Sequence, residues 1–505
     1  MERSHKQRLF VRGRLALTLL RPLWQFDLLN DLGTANARLP SSKMPVLETE
    51  ASPHLLRCHS LKSLNETSNS ARTPRQSCIM KMKHQPSRFA YVTCTCSSKE
   101  KSFTDLPEIN SRLSSEGSNF CASILWIAVP LQSTGAVLAL LRTDEPGRYS
   151  DRLLLTIETG AKIEDFAWDP FNPNCLAVAG IDGKVRFWRV SDFAHGWESA
   201  IPYQTIRVGF GRVSCLRFNP VATDVFAAVS DGIRLGIWSR EGGHRRIVCT
   251  GHTEQILSIA WDTVGSQIVT LSKDCHMRIY EPRQSAEPFL ERRILESPKS
   301  GRVLFVCKDE ALLVSSFSKI SDRLVGLYSA RTFDLLAKIN LMVSPQLLIP
   351  HYDYDTSVVF LTSRGDETIH MYEIVNSEPY FLRLLPFSSR VSHQAISLLP
   401  KLVCGIHKLE FAFGYRLLTN AIESLSFTIP RQKSNRFEKD LFPDSLVTWE
   451  PRLTAAEWFD GVSVPLLFLS LRPKDHDRAP LHVTEENDLR LIRRQWSVSA
   501  IFFHP

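Results

Sequence analysis

The sequence contains no two cysteines in CxxC spacing, although it has 11 cysteines in all. Most of them lie inside apolar, strand-like runs, and Cys94 and Cys96 are too close together for an ordinary zinc clip. An odd number of thiols without paired spacing argues against a disulfide framework and against a zinc site. We therefore expect reduced, buried cysteines in a cytosolic protein, and no metal.

Long apolar runs are also missing, since no stretch approaches the roughly 18 residues needed to cross a membrane. The catalytic signatures GxxxxGK[ST], HExxH and GxSxG are absent, and GFGRVS at 209–214 lacks the third glycine of a dinucleotide-binding loop. These absences argue against a membrane span, a cofactor and an enzyme.

Most of the chain lacks a surplus of either charge. Residues 1–88 contain 15 Lys and Arg against 6 Asp and Glu, whereas residues 89–505 contain 46 against 47. The formal net charge of +8 therefore belongs to the leader, and the body gives no argument for nucleic-acid binding. Residues 1–87 are predicted to form a basic, mostly disordered leader. Organelle targeting or membrane association through residues 1–26 is the alternative.

The sequence does contain a repeat, in which a turn residue is followed six positions later by Trp or Tyr. The aromatic residues of successive copies are 50, 42, 48 and 44 residues apart. The five copies are Asp182–Trp188, Gly232–Trp238, Asp274–Tyr280, Asp322–Tyr328 and Asp366–Tyr372. Each copy reads as a strand, a tight turn and an alternating strand. Units of this kind cannot bury both faces alone, and a period of 40–50 residues is typical of a WD-type β-propeller.

Two weaker copies, at 124–143 and 393–431, bring the number of units between residues 110 and 430 to seven. We therefore predict an all-β, seven-bladed WD-repeat propeller over residues 88–431. An exposed seam would invite aggregation. An early strand, either RFAYVT (88–93) or CASILWIAV (121–129), is therefore expected to complete the blade that the C-terminal segment builds.

Two groups of polar residues invite a catalytic interpretation. His252, Ser272 and Asp274 have the residue types of a hydrolase triad, but in a propeller repeat a structural hydrogen-bond network is the favoured interpretation. Asp353 and Asp355 stand in HYDYDT, which is interpreted as a loop signature of the fold and not as an acid/base pair.

Four segments, 166–190, 251–283, 313–334 and 348–374, resemble blades of the coronin family; the last carries a Tyr-Asp-x-Asp-Thr and Gly-Asp signature. Residues 432–473 resemble the family's C-terminal extension, which packs beneath the propeller. The resemblance depends on DLFPD at 440–444 and on Glu457-Trp458. Residues 474–505 are expected to form a flexible tail. Within the family, WDPFNP, VTWEPRLTAAEW and FCASILWIAVPL are most similar to the second propeller of the long, tandem-propeller members.

The resemblance implies a non-catalytic protein that binds actin filaments and organises the actin cytoskeleton, with a link to Golgi and vesicle trafficking. In short family members an arginine before the first blade contributes to filament binding. Here Asn110 holds that position and Arg112 follows two residues later. The alternative is a general scaffold that recruits trafficking or ubiquitin-pathway partners without direct actin binding. Asn110 and the missing acidic tail of long members favour this alternative, and the missing coiled coil of short members predicts a monomer.

A candidate partner surface follows from the propeller itself. The turns between the second and third strands of all blades emerge on one face, and basic residues occupy or flank them. With Arg112, the candidate residues are Lys184, Arg234, Lys273, Lys319, Arg323 and Arg364. Such a face suits an acidic partner such as actin, with salt-dependent affinity. Ordinary solvation of exposed turns by Lys and Arg is the alternative.

Overall fold

The computed structural model of the protein describes residues 86–107, 109–110, 117–132, 135–150, 154–190, 201–242, 245–431 and 437–472. The predictions for the leader up to residue 85, for the tail and for Arg112 lie outside these residues. The predicted boundaries between leader, propeller, extension and tail stay predictions. Among the described residues, none belongs to a helix with the length and apolarity that a membrane span requires.

Seven antiparallel sheets form the seven blades of a propeller, which confirms the predicted fold class. Blades 1 to 4 consist, from the first to the fourth strand, of Cys121–Ala122, Trp126–Pro130, Val137–Arg142, Leu155–Glu158; Ile163–Trp168, Cys175–Gly180, Lys184–Arg189, Gln204–Arg207; Val213–Phe218, Val225–Ser230, Arg234–Ser239, Arg245–Cys249; and Ile256–Trp261, Ile268–Ser272, His276–Tyr280, Leu290–Arg293.

Blades 5 and 6 follow the same order, and blade 7 takes its fourth strand from the N-terminal side of the chain. Their strands are Arg302–Val306, Ala311–Phe317, Arg323–Ser329, Leu335–Leu341; Ile349–Asp353, Val358–Thr362, Thr368–Ile374, Phe381–Arg383, with Phe387–Ser388 beside the third; and Ala395–Leu398, Glu410–Leu417, Ile422–Thr428, Thr93–Cys96. Short 3-10 turns lie at Lys99–Lys101, Lys401–Val403 and Ile406–Lys408. First strands of neighbouring blades contact one another, so the first strands line the centre of the ring.

The core lies between blades, because the strands bury side chains on both faces. In blade 2, Val185 and Phe187 pack toward blade 3, whereas Trp188 packs toward blade 1. Seven such hydrophobic cores, one between each pair of adjacent blades, occur in the described part of the chain. The cysteines of this part are free, and five of the nine are buried. Burial raises the pKa of the Cys249 thiol to about 12, as an inert core residue requires.

The ring closes at blade 7. Thr93–Cys96 pairs antiparallel with the C-terminal strand Ile422–Thr428, and Thr93 lies opposite Thr428. Phe103–Thr104 pairs with the same strand further along and also, in parallel, with Gly147–Arg148. Of the two predicted closing segments, RFAYVT is therefore the one adjoining the closing strand. CASILWIAV instead supplies the first two strands of blade 1.

The C-terminal extension packs against the turns between first and second strands. Leu453 forms a parallel bridge with Ala222 of blade 3, and Leu446 donates its backbone N–H to Asp355 of blade 6 (2.9 Å). These turns lie at the opposite end of the blades from the turns between second and third strands. The extension contains the strands Ser445–Leu446 and Phe468–Leu469 and one helix, Ala455–Phe459.

Candidate functional site

The turns between second and third strands and the connections from each fourth strand to the next blade form one continuous face, here called the turn face. Hydrogen bonds join its parts across blades. Gly209 donates its N–H to the Gly183 carbonyl (3.1 Å), and Ile256 donates to the Gly232 carbonyl (2.8 Å). Gly365 donates likewise to the carbonyl of His393 (2.8 Å). The backbones of these turns are therefore held in fixed positions relative to one another.

The blade 2 turn shows why the sequence folds this way. Gly183 has φ +77°, and a Cβ at this position would lie 2.2 Å from the carbonyl oxygen of Gly209, so only glycine fits. Asp182 forms an ion pair with Arg186 on the following strand, with 2.5 Å between Oδ2 and Nη2. The turn therefore brings the next blade's connection into contact and presents Ile181 outward, 48% exposed.

Five of the predicted basic residues lie at the turn face. Arg234 and Lys319 are exposed, and the remaining three, Lys184, Lys273 and Arg364, are half-buried. The guanidinium of Arg234 lies 3.6 Å from the carboxylate of Asp231, which offsets part of its charge. The structure places these residues at the turns of five successive blades, 2 to 6, and their role stays a prediction.

The prediction that Arg323 belongs to the partner surface is wrong. It is 5% exposed, and its guanidinium is 2.6 Å from the carboxylate of Asp366 in the next blade. Its Nε also donates to the Met342 carbonyl (3.0 Å). Arg323 thus joins blades 5 and 6 and offers no free charge to a partner. Asn110, at the position of the family arginine, is half-buried and donates its backbone N–H to Pro130 (2.8 Å).

The turn face also carries exposed basic residues that the sequence prediction did not include, among them Arg207, Lys299 and Arg390. Arg207 ends the fourth strand of blade 2, Lys299 contacts Ser321 of the blade 5 turn, and Arg390 lies in the connection to blade 7. All three stand in or next to connections between blades, which return to the same face as the turns. A search of these connections for Lys and Arg would have found them.

The His252 network is structural, and it contains a residue that the sequence did not indicate. Arg278 is 3% exposed and lies between His252 and Asp274. Its Nη1 is 3.3 Å from His252 Nδ1 and 2.8 Å from Asp274 Oδ2, and Nη2 donates to Glu291 (2.7 Å). His252 Nε2 is 3.1 Å from the hydroxyl of Tyr280, which donates to the Thr250 carbonyl (2.8 Å). Burial and the charge of Arg278 lower the pKa of His252 to about 4.

Ser272 has no nucleophile geometry. Its hydroxyl is buried and donates to the carbonyls of Glu254 (3.1 Å) and Gln255 (3.2 Å). It accepts from the backbone N–H of Asp274 (3.4 Å), and its hydrogen-bond partners among the described residues do not include His252. The three residues therefore hold a turn and a strand together and do not form a relay to a reacting hydroxyl.

The other aspartates and aromatic residues of the repeat also have structural contacts. Trp188, Trp238 and Tyr372 are buried, whereas Tyr328 is half-buried. Among the described residues Asp322 forms no ion pair. Its backbone N–H donates to the hydroxyl of Ser318 (3.0 Å).

Asp353 and Asp355 hold blade 6 and the extension. Asp353 accepts from Thr356 Oγ1 (2.5 Å) and from Lys401, and Asp355 accepts from the hydroxyl of Ser445 (2.5 Å). A cavity of about 130 Å³ adjoins these residues and Trp449. Both carboxylates are already engaged, so the pair is a fold signature, as the sequence indicated.

The centre of the ring is crossed by a short strap. Ser118 donates its N–H to Asp165 of blade 2 (2.5 Å), and the Gly117 carbonyl accepts from Arg302 of blade 5 (3.0 Å). Asp165 is fully buried and also accepts from Leu216 N–H and the Arg217 guanidinium, each at 2.8 Å. Because the inner strands of blades 2 and 5 lie across the ring from each other, the strap occupies the place where channel-lining groups would have to converge on a substrate. No cluster of His, Cys, Asp and Glu suited to a metal occurs among the described residues.

Substitution of the buried His393 is expected to reduce the loss of stability in acid. His393 is 0% exposed, both ring nitrogens lack a hydrogen-bond partner among the described residues, and burial lowers its pKa to about 4. In the unfolded chain His393 binds a proton near pH 6.5, whereas in the folded chain it stays neutral until about pH 4. The free energy of unfolding is therefore unaffected by this group above pH 6.5 and decreases as the pH falls from 6.5 toward 4. Between pH 7.5 and 5 the loss is about 2 kcal/mol.

Thermal unfolding at pH 7.5 and pH 5 checks this expectation. His393→Leu should decrease the difference in Tm between the two pH values by roughly 2–4 °C relative to the unsubstituted protein. His407→Leu, at an exposed position, is the control and should leave the difference unchanged. An equal pH dependence in all three proteins would contradict the expectation.

Comparison with known proteins shows the relatives of this chain. Family models match residues 243–281 as a WD domain, G-beta repeat, residues 422–466 as a type of WD40 repeat, and residues 82–148 as a domain of unknown function. Coronin-7 of Mus musculus is 37% identical over 449 residues, which cover 86% of this chain and 48% of the mouse protein. Coronin-A of Dictyostelium discoideum is 29% identical over 394 residues, covering 76% of this chain and 85% of that protein.

The crystal structure of the WD40 domain of Toxoplasma gondii coronin has a similar fold, with a TM-score of 0.68 at 22% identity. The match covers 76% of this chain and 98% of that domain. The chain spans about half the length of the long relatives that it matches. The resemblance seen in the sequence is thereby confirmed at the level of the family, whereas the finer match to a second propeller stays a prediction.

Proposed function

The chain belongs to the coronin family of WD-repeat proteins, and from this premise we propose that it is a non-catalytic interaction protein that binds actin filaments through its turn face. The relatives are named coronins, and this family name implies an actin-related function. The network around His252 and the strap across the ring support a binding role, because both engage the polar groups that catalysis would need free.

One observation carries the proposed surface. Exposed basic side chains from several blades lie on one face, while the extension covers part of the opposite face. Lys319 and Lys299 are both exposed at the blade 5 turn, and Lys273 lies on the blade 4 turn next to it. Like charges held near each other on a fixed scaffold raise the local positive potential, which attracts an acidic surface such as that of a filament.

Co-sedimentation of the full chain with actin filaments, at low and at physiological salt, tests this function. The protein is expected to pellet at low salt and less at higher salt. Lys273→Glu combined with Lys319→Glu should weaken pelleting by about tenfold or more. Lys308→Glu combined with Lys439→Glu is the matched control, since both lysines are exposed away from the turn face, and should change pelleting little.

The outcomes separate the candidates. Failure to pellet at low salt would exclude direct filament binding by this chain and favour the scaffold that recruits trafficking or ubiquitin-pathway partners. Equal losses in the two double variants would mean that the contact is not on the turn face. The link to Golgi and vesicle trafficking and the cytoplasmic, cytoskeleton-associated location are proposed from the resemblance alone, and co-localisation of the tagged chain with Golgi and filament markers tests them.

A further inference from the structure

Phe210 is the most exposed large hydrophobic residue that the structure describes, at 86%. It stands between Gly209 and Gly211 in the connection from blade 2 to blade 3. The connection is held on both sides, because Gly209 donates to the Gly183 carbonyl (3.1 Å) and Gly211 donates to Asp231 Oδ1 (2.5 Å). The phenyl ring is thus displayed to solvent by a fixed loop between two turns.

Each of the two flanking turns adds an exposed apolar side chain. Ile181 on the blade 2 turn is 48% exposed, and Ile233 on the blade 3 turn is 39% exposed. Phe210 and these two residues thus lie on adjoining segments of the turn face, here called the apolar centre, because the connection that carries Phe210 is hydrogen-bonded to both turns. Exposed single hydrophobic residues need no explanation, but several on one rigid surface mark an interaction site.

The rim of this centre is basic. Lys184 lies directly opposite Arg207 in the antiparallel register of blade 2, and like charges in that position are destabilising. The carboxylate of Asp182 pairs with Lys184 at 3.9 Å and with Arg186 at 2.5 Å, so two cations share one acid. Within the described residues, Arg207 forms no ion pair with a carboxylate. Because Asp182 serves both Lys184 and Arg186, the blade keeps a surplus of positive charge beside Phe210, which an external anion would offset.

We propose that the Phe210 patch, made of Ile181, Lys184, Arg207, Phe210, Ile233 and Arg234, binds an acidic peptide segment that carries an aromatic or aliphatic side chain. The apolar side chain packs on Phe210, and the flanking carboxylates pair with the basic rim. An aromatic centre with a polar, charged rim is the usual anatomy of a protein interface. This site lies on blades 2 and 3, and it does not require that actin be bound at blades 4 and 5.

Fluorescence anisotropy of the full chain with labelled synthetic peptides tests the proposal. The probe is a short peptide of Glu and Asp with one central Phe, compared with the same peptide in which Ser replaces Phe. The Phe peptide should bind at least tenfold more tightly. Phe210→Ala should weaken binding of the Phe peptide by about 10- to 30-fold. Arg207→Glu should weaken the binding of both peptides and make their affinities less dependent on salt.

A matched control is available in Phe289, which is 52% exposed and lies before the fourth strand of blade 4, away from the turn face. Phe289→Ala should bind both peptides like the unsubstituted protein, and neither alanine variant should change Tm. No binding of the Phe peptide, equal binding of both peptides, or an unchanged affinity in Phe210→Ala would each overturn the proposal. Co-sedimentation with actin is measured separately, so its failure leaves this result readable.

Discussion

Phe89→Ala is expected to destabilise the propeller by about 3–5 kcal/mol. Phe89 is 0% exposed, and its ring centroid lies 4.9 Å from that of Phe411 in blade 7. It precedes the closing strand Thr93–Cys96 by four residues, and Val92, also buried, packs in the same core between blades 6 and 7. The cavity left by the ring weakens both this core and the strand pairing that closes the ring.

Tyr91→Ala is the control, since Tyr91 belongs to the same segment but is 78% exposed. Thermal unfolding should show a Tm lower by roughly 5–10 °C for Phe89→Ala and almost unchanged for Tyr91→Ala. Faster protease cleavage of Phe89→Ala within residues 86–98 would indicate that the pairing of Thr93–Cys96 with Ile422–Thr428 opens. Equal Tm values for the two variants would show that closure does not depend on this packing.

Trp458→Ala should have an effect of similar size, about 3–5 kcal/mol, by releasing the extension from blades 3 and 4. Trp458 is fully buried, and its indole N–H donates to the Gly265 carbonyl (2.8 Å). Its ring meets Trp261 edge-on with centroids 5.9 Å apart, and the guanidinium of Arg283 lies 5.4 Å from its centre. Aromatic contacts of this geometry add to the area buried.

Two further variants divide this effect into its parts. Trp458→Phe keeps most of the packing, and the Gly265 carbonyl still accepts from Asn219 (2.9 Å), so its cost should be well below that of Trp458→Ala. Phe459→Ala, at the neighbouring half-buried position, should cost less again. Chemical or thermal unfolding measures the order, and limited proteolysis within 447–472 reports detachment. A Trp458→Ala protein as stable as the parent would mean that the extension contributes nothing to the propeller.

The sequence by itself determined the repeat and therefore the fold class. The step from Asp182 to Trp188 is local, because a tight turn and an alternating strand depend on residues within one unit. Seven such units bury their faces only by stacking in a ring, so the propeller followed from the period. The extension was predicted from Glu457-Trp458, and these residues form its helix, where Thr454 and Glu457 cap each other.

The tertiary structure alone decided which polar side chains remain available at the surface. Arg323 and Asp366 are 43 residues apart in the chain and meet only because blades 5 and 6 are adjacent. The same holds for the strap at Gly117, which reaches Arg302 across the ring. Arg278 has the strand position of an exposed residue, yet the fourth strand brings Glu291 beside it and buries it. Phe210 is the converse case, since glycines and the turns of two blades keep an apolar ring in solvent. Sequence patterns report which face of an element a side chain occupies, whereas charge pairing and exposure depend on neighbours that only folding brings together.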